Sequence, residues 1–336
     1  MQNTDLTEKE ISALLDKLAA LKKEIRKVII GQEAVVDELL MAFLAGGHCL
    51  LEGVPGLAKT LMIRTLAEAV HLSFNRIQFT PDLMPSDIIG TEILEEEHAT
   101  GKRFFKFNKG PIFTQVLLAD EINRTPPKTQ SALLEAMQEF AVTYSGTTYV
   151  LDRPFFVLAT QNPIEQAGTY PLPEAQLDRF LLFIKINYPQ AEEEFNILTA
   201  TTGKQTAMVE PILSAEEIRQ LQTLTREVYI SEALVHYVND VVRASRPGLT
   251  DNGFVKEWVR WGAGPRAGQA MILTAKAAAL QNGRFSVTLE DLSKVAKPVL
   301  RHRILINFKG EAEGITADAV TDELLRATPK PKSPLE

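Results

Sequence analysis

Apolar residues recur at helical spacing over 5–28, where Leu14, Leu15, Leu18, Leu21, Ile25 and Val28 line one face. Gly31 breaks that pattern, and a second helix is expected over 32–45. HCLLEG, from residue 48, reads as a short buried strand running straight into a glycine-rich loop. Residues 59–70 continue as a helix, and SFNRIQF at 73–79 is another strand. The rhythm then lapses: paired prolines, Gly90 and Gly101 mark 80–112 as an irregular excursion. FTQVLLAD at 113–120 is almost wholly apolar, as a parallel strand covered on both faces should be. A proline-led helix runs to about 140, and 140–151 reads as a hairpin turning at Ser145-Gly146. PFFVLATQN (154–162) and RFLLFIKIN (179–187) are further buried strands. From Pro189 strands all but disappear, and helices are expected over 190–202, 214–228, 231–246, 265–281, 289–303 and 316–327.

The pattern divides the chain into an α/β core with a parallel sheet flanked by helices, then an all-helical domain. The expected bounds are an N-terminal helix over 1–30 packed on the core, the core at 31–188, the helical domain at 189–328, and a proline-rich, disordered tail at 329–336. Composition does not disturb this picture. In 336 residues, 45% hydrophobic and 24% charged content is ordinary for a soluble globular protein. The net charge of −7 leaves no electrostatic footprint for nucleic acid. The single cysteine, Cys49, excludes an internal disulfide and reads as an inert core thiol. No cationic start leads into an apolar core, and no apolar run reaches the roughly 18 residues of a membrane span. The expected location is cytoplasmic.

Four short stretches carry candidate chemistry. Strand, tight loop and helix over 48–70 give the context of a phosphate-binding loop: Gly53, Val54, Pro55, Gly56, Leu57, Ala58, Lys59, Thr60 and Leu61. Gly53 and Gly56 let successive N–H groups converge on phosphate oxygens, and the following helix adds its dipole. Lys59 supplies a point charge, and the Thr60 hydroxyl a ligand for Mg²⁺. Ala58 stands where the pattern wants a second glycine, which is tolerable if its backbone is helical rather than left-handed. Next, Asp120 and Glu121 end an apolar strand, where α/β sheets bind ligands. Asp120 suits Mg²⁺ held through water, and Glu121 suits polarisation of the attacking water. Third, Thr160, Gln161 and Asn162 end another buried strand, where an amide can position that water. Fourth, Arg179 precedes the last strand and Arg266 opens a helix of the second domain. An arginine fork suits developing phosphate charge, although each residue in isolation would pass for a surface ion pair.

Taken in order, these signals resemble the AAA+ ATPases. GVPGLAKT, ADEINRTPPKTQSALLEAMQE, LATQNPIEQAGTYPLPEAQLDRF and GPRA resemble the MoxR branch in particular, and the likeness spans roughly 10–330. The resemblance implies a P-loop ATPase core with a C-terminal lid, and an alanine before the loop lysine is usual in that branch. It assigns 80–112 to a helix-2 insert and 140–151 to the hairpin before the asparagine strand, both facing the central pore in ring relatives. Gly31-Gln32 matches an element that contacts adenine. Asn162 becomes the first sensor, and Arg266 the second, reaching the nucleotide of its own subunit. Arg179 becomes the finger donated to a neighbour, with Arg124 a second interface candidate. The resemblance further implies ATP and Mg²⁺ as cofactors, a ring, expected to be a hexamer, and chaperone-like work on a client protein, including metal-cofactor insertion. A protein carrying a von Willebrand factor A domain is the expected partner. The alternative is a nucleic-acid-stimulated motor, since GKRFFKFNK at 101–109 mixes basic and aromatic residues; the acidic balance weighs against it. No Asn-Lys-x-Asp guanine-reading motif points to GTP.

Overall fold

The computed structural model describes residues 6–96, 103–163, 168–202 and 208–331. The core half opens with α1 (Glu8–Val28), capped by Thr7 and Glu10, followed by α2 (Glu33–Ala45), β1 (Cys49–Glu52) and α3 (Lys59–Ala69). Then come β2 (Phe74–Gln78), α4 (Pro85–Ile89), β3 (Gly90–Glu96), β4 (Arg103–Lys109), β5 (Val116–Asp120) and α5 (Pro127–Glu139). A hairpin of β6 (Ala141–Tyr144) and β7 (Thr147–Val150) leads to β8 (Phe156–Gln161), α6 (Glu174–Leu177) and β9 (Leu182–Lys185).

Five of these strands form one sheet in the order β2-β5-β8-β1-β9, with every pairing parallel. β1, β5, β8 and β9 read as largely apolar runs because both faces are covered, whereas β2, at the sheet edge, carries Asn75, Arg76 and Gln78. Cys49, Leu51, Leu118, Leu158 and Ile184 point to one core; Leu50, Leu117, Ala119, Val157 and Ala159 point to the other. Cys49 is fully buried, and burial pushes its thiol well up, so it is inert.

The expectation of an irregular excursion at 80–112 needs correcting. It contains α4 and an antiparallel hairpin, β3 against β4, in register from Gly90↔Lys109 to Glu96↔Arg103. The hairpin leaves the core where two backbones nearly touch. A Cβ on Gly90, at φ 112°, would lie 2.2 Å from the Asn108 carbonyl oxygen, and one on Gly110 would lie 2.4 Å from that of Ile88. Gly90, read as a breaker, and Gly110 are both required by the crossing. The β6–β7 hairpin leans on this insert: Phe107 stacks on Tyr149 at 4.3 Å between ring centres and lies 5.2 Å from Tyr144.

The C-terminal half contains α7 (Ala191–Thr201), α8 (Ala215–Glu227), α9 (Glu232–Ala244), α10 (Gly253–Trp258), β10 (Val259–Trp261), α11 (Pro265–Gln281), α12 (Leu289–Leu300), β11 (Leu305–Ile306), α13 (Phe308–Ala312) and α14 (Ala317–Ala327). It is therefore helical but not all-helical. β10 and β11 pair antiparallel, and segments of two or three residues are too short to show a period in the sequence. α1 packs on α3 and α11, and α2 on β9, α8 and α11, so the first two helices join the core half to the C-terminal helices. One continuous apolar core runs from the sheet through them. Of the expected tail, 332–336 lies outside the described residues. Among the described residues, no helix is long and apolar enough to cross a membrane.

Candidate functional site

Strand register assembles one end of the sheet. Ala119 of β5 lies beside Ala159 of β8, and Gln161 of β8 beside Glu52 of β1. Asp120, Glu121, Asn162 and Gly53 therefore emerge together at the carboxyl ends of three adjacent strands, the end at which open α/β sheets bind ligands. Asp120 and the loop are not on neighbouring strands, because β8 lies between β5 and β1.

The loop wraps onto the start of α3, and Lys59 is that helix's first residue. Its Nζ donates to the Gly53 carbonyl at 2.7 Å. Burial pulls the Lys59 ammonium down from its usual range, while Asp120 and Glu121 pull it back up. Gly56 has φ 87°. Ala58 has φ 54° and ψ 24°, so the condition set for its methyl group to be tolerated, a helical backbone, is not met. A Cβ in the left-handed region costs about 1–2 kcal/mol, partly recovered because alanine has a less flexible unfolded chain than glycine. Ala58→Gly is therefore expected to keep the loop working and to stabilise the fold by up to about 1 kcal/mol. A melting temperature below wild type by calorimetry would contradict the strain.

The two carboxylates are held differently. Asp120 accepts from Arg76 Nη2 at 2.7 Å and Nε at 3.1 Å, and from Thr160 Oγ1 at 2.6 Å. Glu121, itself left-handed at φ 58°, uses Oε2 to accept from Gln78 Nε2 at 2.8 Å and Arg124 Nη1 at 3.1 Å. Its N–H donates to Thr160 Oγ1 at 2.9 Å, so one hydroxyl bridges both acidic residues. Arg124, expected at an interface, here turns onto its own subunit's Glu121. Asn162 is buried beside them. Gly31 and Gln32 are both left-handed, and Gln32 Nε2 donates to the Asn187 carbonyl at 2.8 Å. Asn187 lines a cavity of about 470 Å³ with Gly53 and Val54, so the 31–32 element is tied to the loop's end of the sheet.

Arg76 and Gln78 were missed as site residues in the sequence. Their signal is faint: two polar side chains spaced by two on a strand otherwise read as structural. β2 and β5 pair in parallel with Gln78 beside Asp120, and only that pairing makes them contacts of the carboxylates.

Arg179 and Arg266 lie at the other end. Leu182 of β9 is level with Cys49 of β1, and the Leu181 N–H donates to the His48 carbonyl at 2.8 Å. Arg179, further back still, lies with Arg266 on a cavity of about 270 Å³ that also touches Gly47 and His48. From His48 to Gly53 is about 16 Å of strand. Arg266 Nη1 sits 3.6 Å from Asp178 Oδ2, beside Arg179. The expected placement of Arg266 on the nucleotide of its own subunit is thus not what the structure has. Its seat beside Asp178 and Arg179, just before β9, carries it away from its own loop.

Residues 48–182 match the family model for the "ATPase family associated with various cellular activities (AAA)", and 254–324 match the AAA lid domain. The chain is 44% identical over 313 residues to Chaperone MoxR1 of Mycobacterium tuberculosis, covering 92% of this chain and 81% of that one. To the uncharacterised protein YeaC of Bacillus subtilis it is 41% identical over 310 residues, covering 92% and 93%. To protein MoxR of Paracoccus denitrificans it is 31% identical over 298 residues, covering 83% and 86%. A solved structure of a candidate ATPase from Cytophaga hutchinsonii superposes with a TM-score of 0.88 at 42% identity, covering 97% and 98% of the two chains.

Proposed function

Because the chain belongs to the MoxR family of AAA ATPases, we propose that it is a chaperone-like machine that hydrolyses ATP at subunit interfaces of a ring, taken to be a hexamer, and uses the cycle to remodel or mature a client protein. The observation that carries this reading is the strand register that puts the loop, Lys59, Asp120, Glu121 and Asn162 at one end of the sheet.

In this reading the loop N–H groups and the start of α3 hold the β- and γ-phosphates, with Lys59 as their nearest cation. Lys59 would exchange its bond to the Gly53 carbonyl for phosphate oxygens. Thr60 and, through water, Asp120 would hold Mg²⁺. The donor set fits: one hydroxyl and one carboxylate, both oxygen donors, lie at the loop's end of the sheet, and Mg²⁺ commonly takes one or two protein ligands with phosphates and water. The ion, when bound, screens phosphate charge. The bonds from Gln78 and Arg124 fall on Glu121 Oε2, leaving Oε1 to take the proton of the attacking water. Asn162 orients that water. Gly31 and Gln32 border the adenine. Arg179 and Arg266, placed far from their own loop, serve the neighbour's triphosphate.

A protein client suits the insert better than nucleic acid. Leu94 and Phe105 pair directly on β3–β4 and are 56% and 71% exposed, while two of the nearby cations are matched in pairs, Arg103 with Glu96 and Lys106 with Glu95, both at 3.0 Å, and Lys109 lies 4.9 Å over the Phe113 ring. A hairpin with two of its three described cations neutralised by its own carboxylates offers little to a phosphate backbone. The client, its metal cofactor and a von Willebrand factor A partner follow from the family likeness alone.

Lys59→Ala is expected to abolish ATP binding, since Lys59 is the loop's own cation at the head of α3 and the phosphates would lose it. Isothermal titration giving wild-type affinity would overturn the site.

A further inference from the structure

Arg179 sits in a stretch, 178–183, whose carbonyls are gripped by three consecutive residues just beyond α12. Arg301 Nη1 donates to the Phe183 carbonyl at 2.6 Å, and His302 Nε2 to that of Phe180 at 3.0 Å. Arg303 does most. Its Nε donates to Asp178 Oδ1 at 2.8 Å. Nη1 reaches the Val299 and Leu181 carbonyls at 2.6 and 3.1 Å, and Nη2 those of Phe180 and Asp178 at 2.7 and 3.4 Å. Five bonds thus match the five N–H groups of a guanidinium.

Arg303 is 7% exposed. Fastening one domain to another does not require a buried cation, because apolar packing does so without the desolvation cost. A fully engaged fork adds a fixed geometry, and the piece it fixes is the backbone on either side of Arg179. Asp178 extends the grip: Oδ1 takes Arg303 while Oδ2 faces Arg266 at 3.6 Å.

We propose that Arg303 is a positioning residue for hydrolysis in the adjacent subunit: it locks the 178–181 backbone and, through Asp178, sets Arg179 and Arg266 as one rigid pair of cations aimed at the neighbour's nucleoside triphosphate. This rests on the reading of Arg179 as the finger. Since Arg303 and Arg266 both belong to the C-terminal helical half, a tilt of that half moves the pair as a unit, and the state of one subunit reaches the active site of the next.

The test is rescue in mixed rings, with assembly verified by sedimentation and ATP affinity by titration. Arg179→Ala subunits have an intact loop, and Lys59→Ala subunits an intact finger, so mixing them restores part of the turnover. Donors carrying Arg303→Lys in addition to Lys59→Ala keep the charge but lose the fork. Their own site is already dead, so any loss falls on the neighbour's. We expect rescue to drop by about 10²-fold, the scale of a misplaced catalytic group, with ATP affinity of the acceptor subunits unchanged. If Arg303→Lys fails to assemble, Asp178→Asn takes its place: its amide oxygen still accepts from Arg303, but the charge facing Arg266 is gone. Full rescue by either assembled donor overturns the proposal while leaving Arg179 as the finger. No rescue by the plain Lys59→Ala donor in assembled rings removes the finger itself.

Discussion

Arg179→Ala is expected to bind ATP with wild-type affinity and to turn it over about 10³–10⁵-fold more slowly, the range an arginine finger commands. The magnitude follows from placement. Arg179 lies at the amino end of β9, with the sheet between it and its own phosphate loop, so its removal leaves its subunit's nucleotide contacts untouched. In the proposed reading, each site is incomplete until two subunits meet. Specific ATPase activity of the wild type should therefore rise with protein concentration over the range in which rings form, whereas nucleotide binding should not. Arg266 shares the location and should follow Arg179: Arg266→Ala leaves ATP binding by dilute monomer unchanged. An assembled Arg179→Ala ring that hydrolyses ATP at the wild-type rate would dismiss the finger and move attention to Arg124. That residue is paired with Glu121 in the isolated subunit and would have to leave it to act across an interface.

Glu121→Gln is expected to keep ATP affinity and lose about 10²–10⁴-fold in turnover, the usual contribution of a positioned base. The amide preserves the shape and an acceptor for Gln78 and Arg124 but cannot take a proton. Single-turnover measurements separate this from slow product release: phosphate should form slowly within the first turnover, with no burst. Wild-type burst kinetics in Glu121→Gln would remove Glu121 from the base role. A ring that holds ATP without spending it should also retain its client, which gives a direct route to identifying it by pull-down.

The elements were largely legible because their signals are local. Strands covered on both faces need apolar runs, and β1, β5, β8 and β9 show them within a few residues. The phosphate loop is equally local, since strand, turn and helix start form one continuous piece of chain, and so is the Asp120-Glu121 pair at a strand end. The insert hairpin was lost from view because its strands alternate weakly and its glycines, needed for a backbone crossing, look like ordinary breakers. Ala58 shows the same limit at one residue: its identity is in the sequence, its left-handed backbone is not. What only the tertiary structure decided concerns residues far apart along the chain. The parallel pairing of β2 with β5 brings Arg76 and Gln78 to the carboxylates, and the order β2-β5-β8-β1-β9 puts Asn162 between them and the loop. The seat of Arg266 and the grip of Arg303 on Asp178, 125 residues away, follow from how the C-terminal helices dock on the edge strand. A sequence period reports which face of an element is buried, whereas the partner of that face is chosen by packing of the whole core, so side chains that meet only through docking leave no spacing to read.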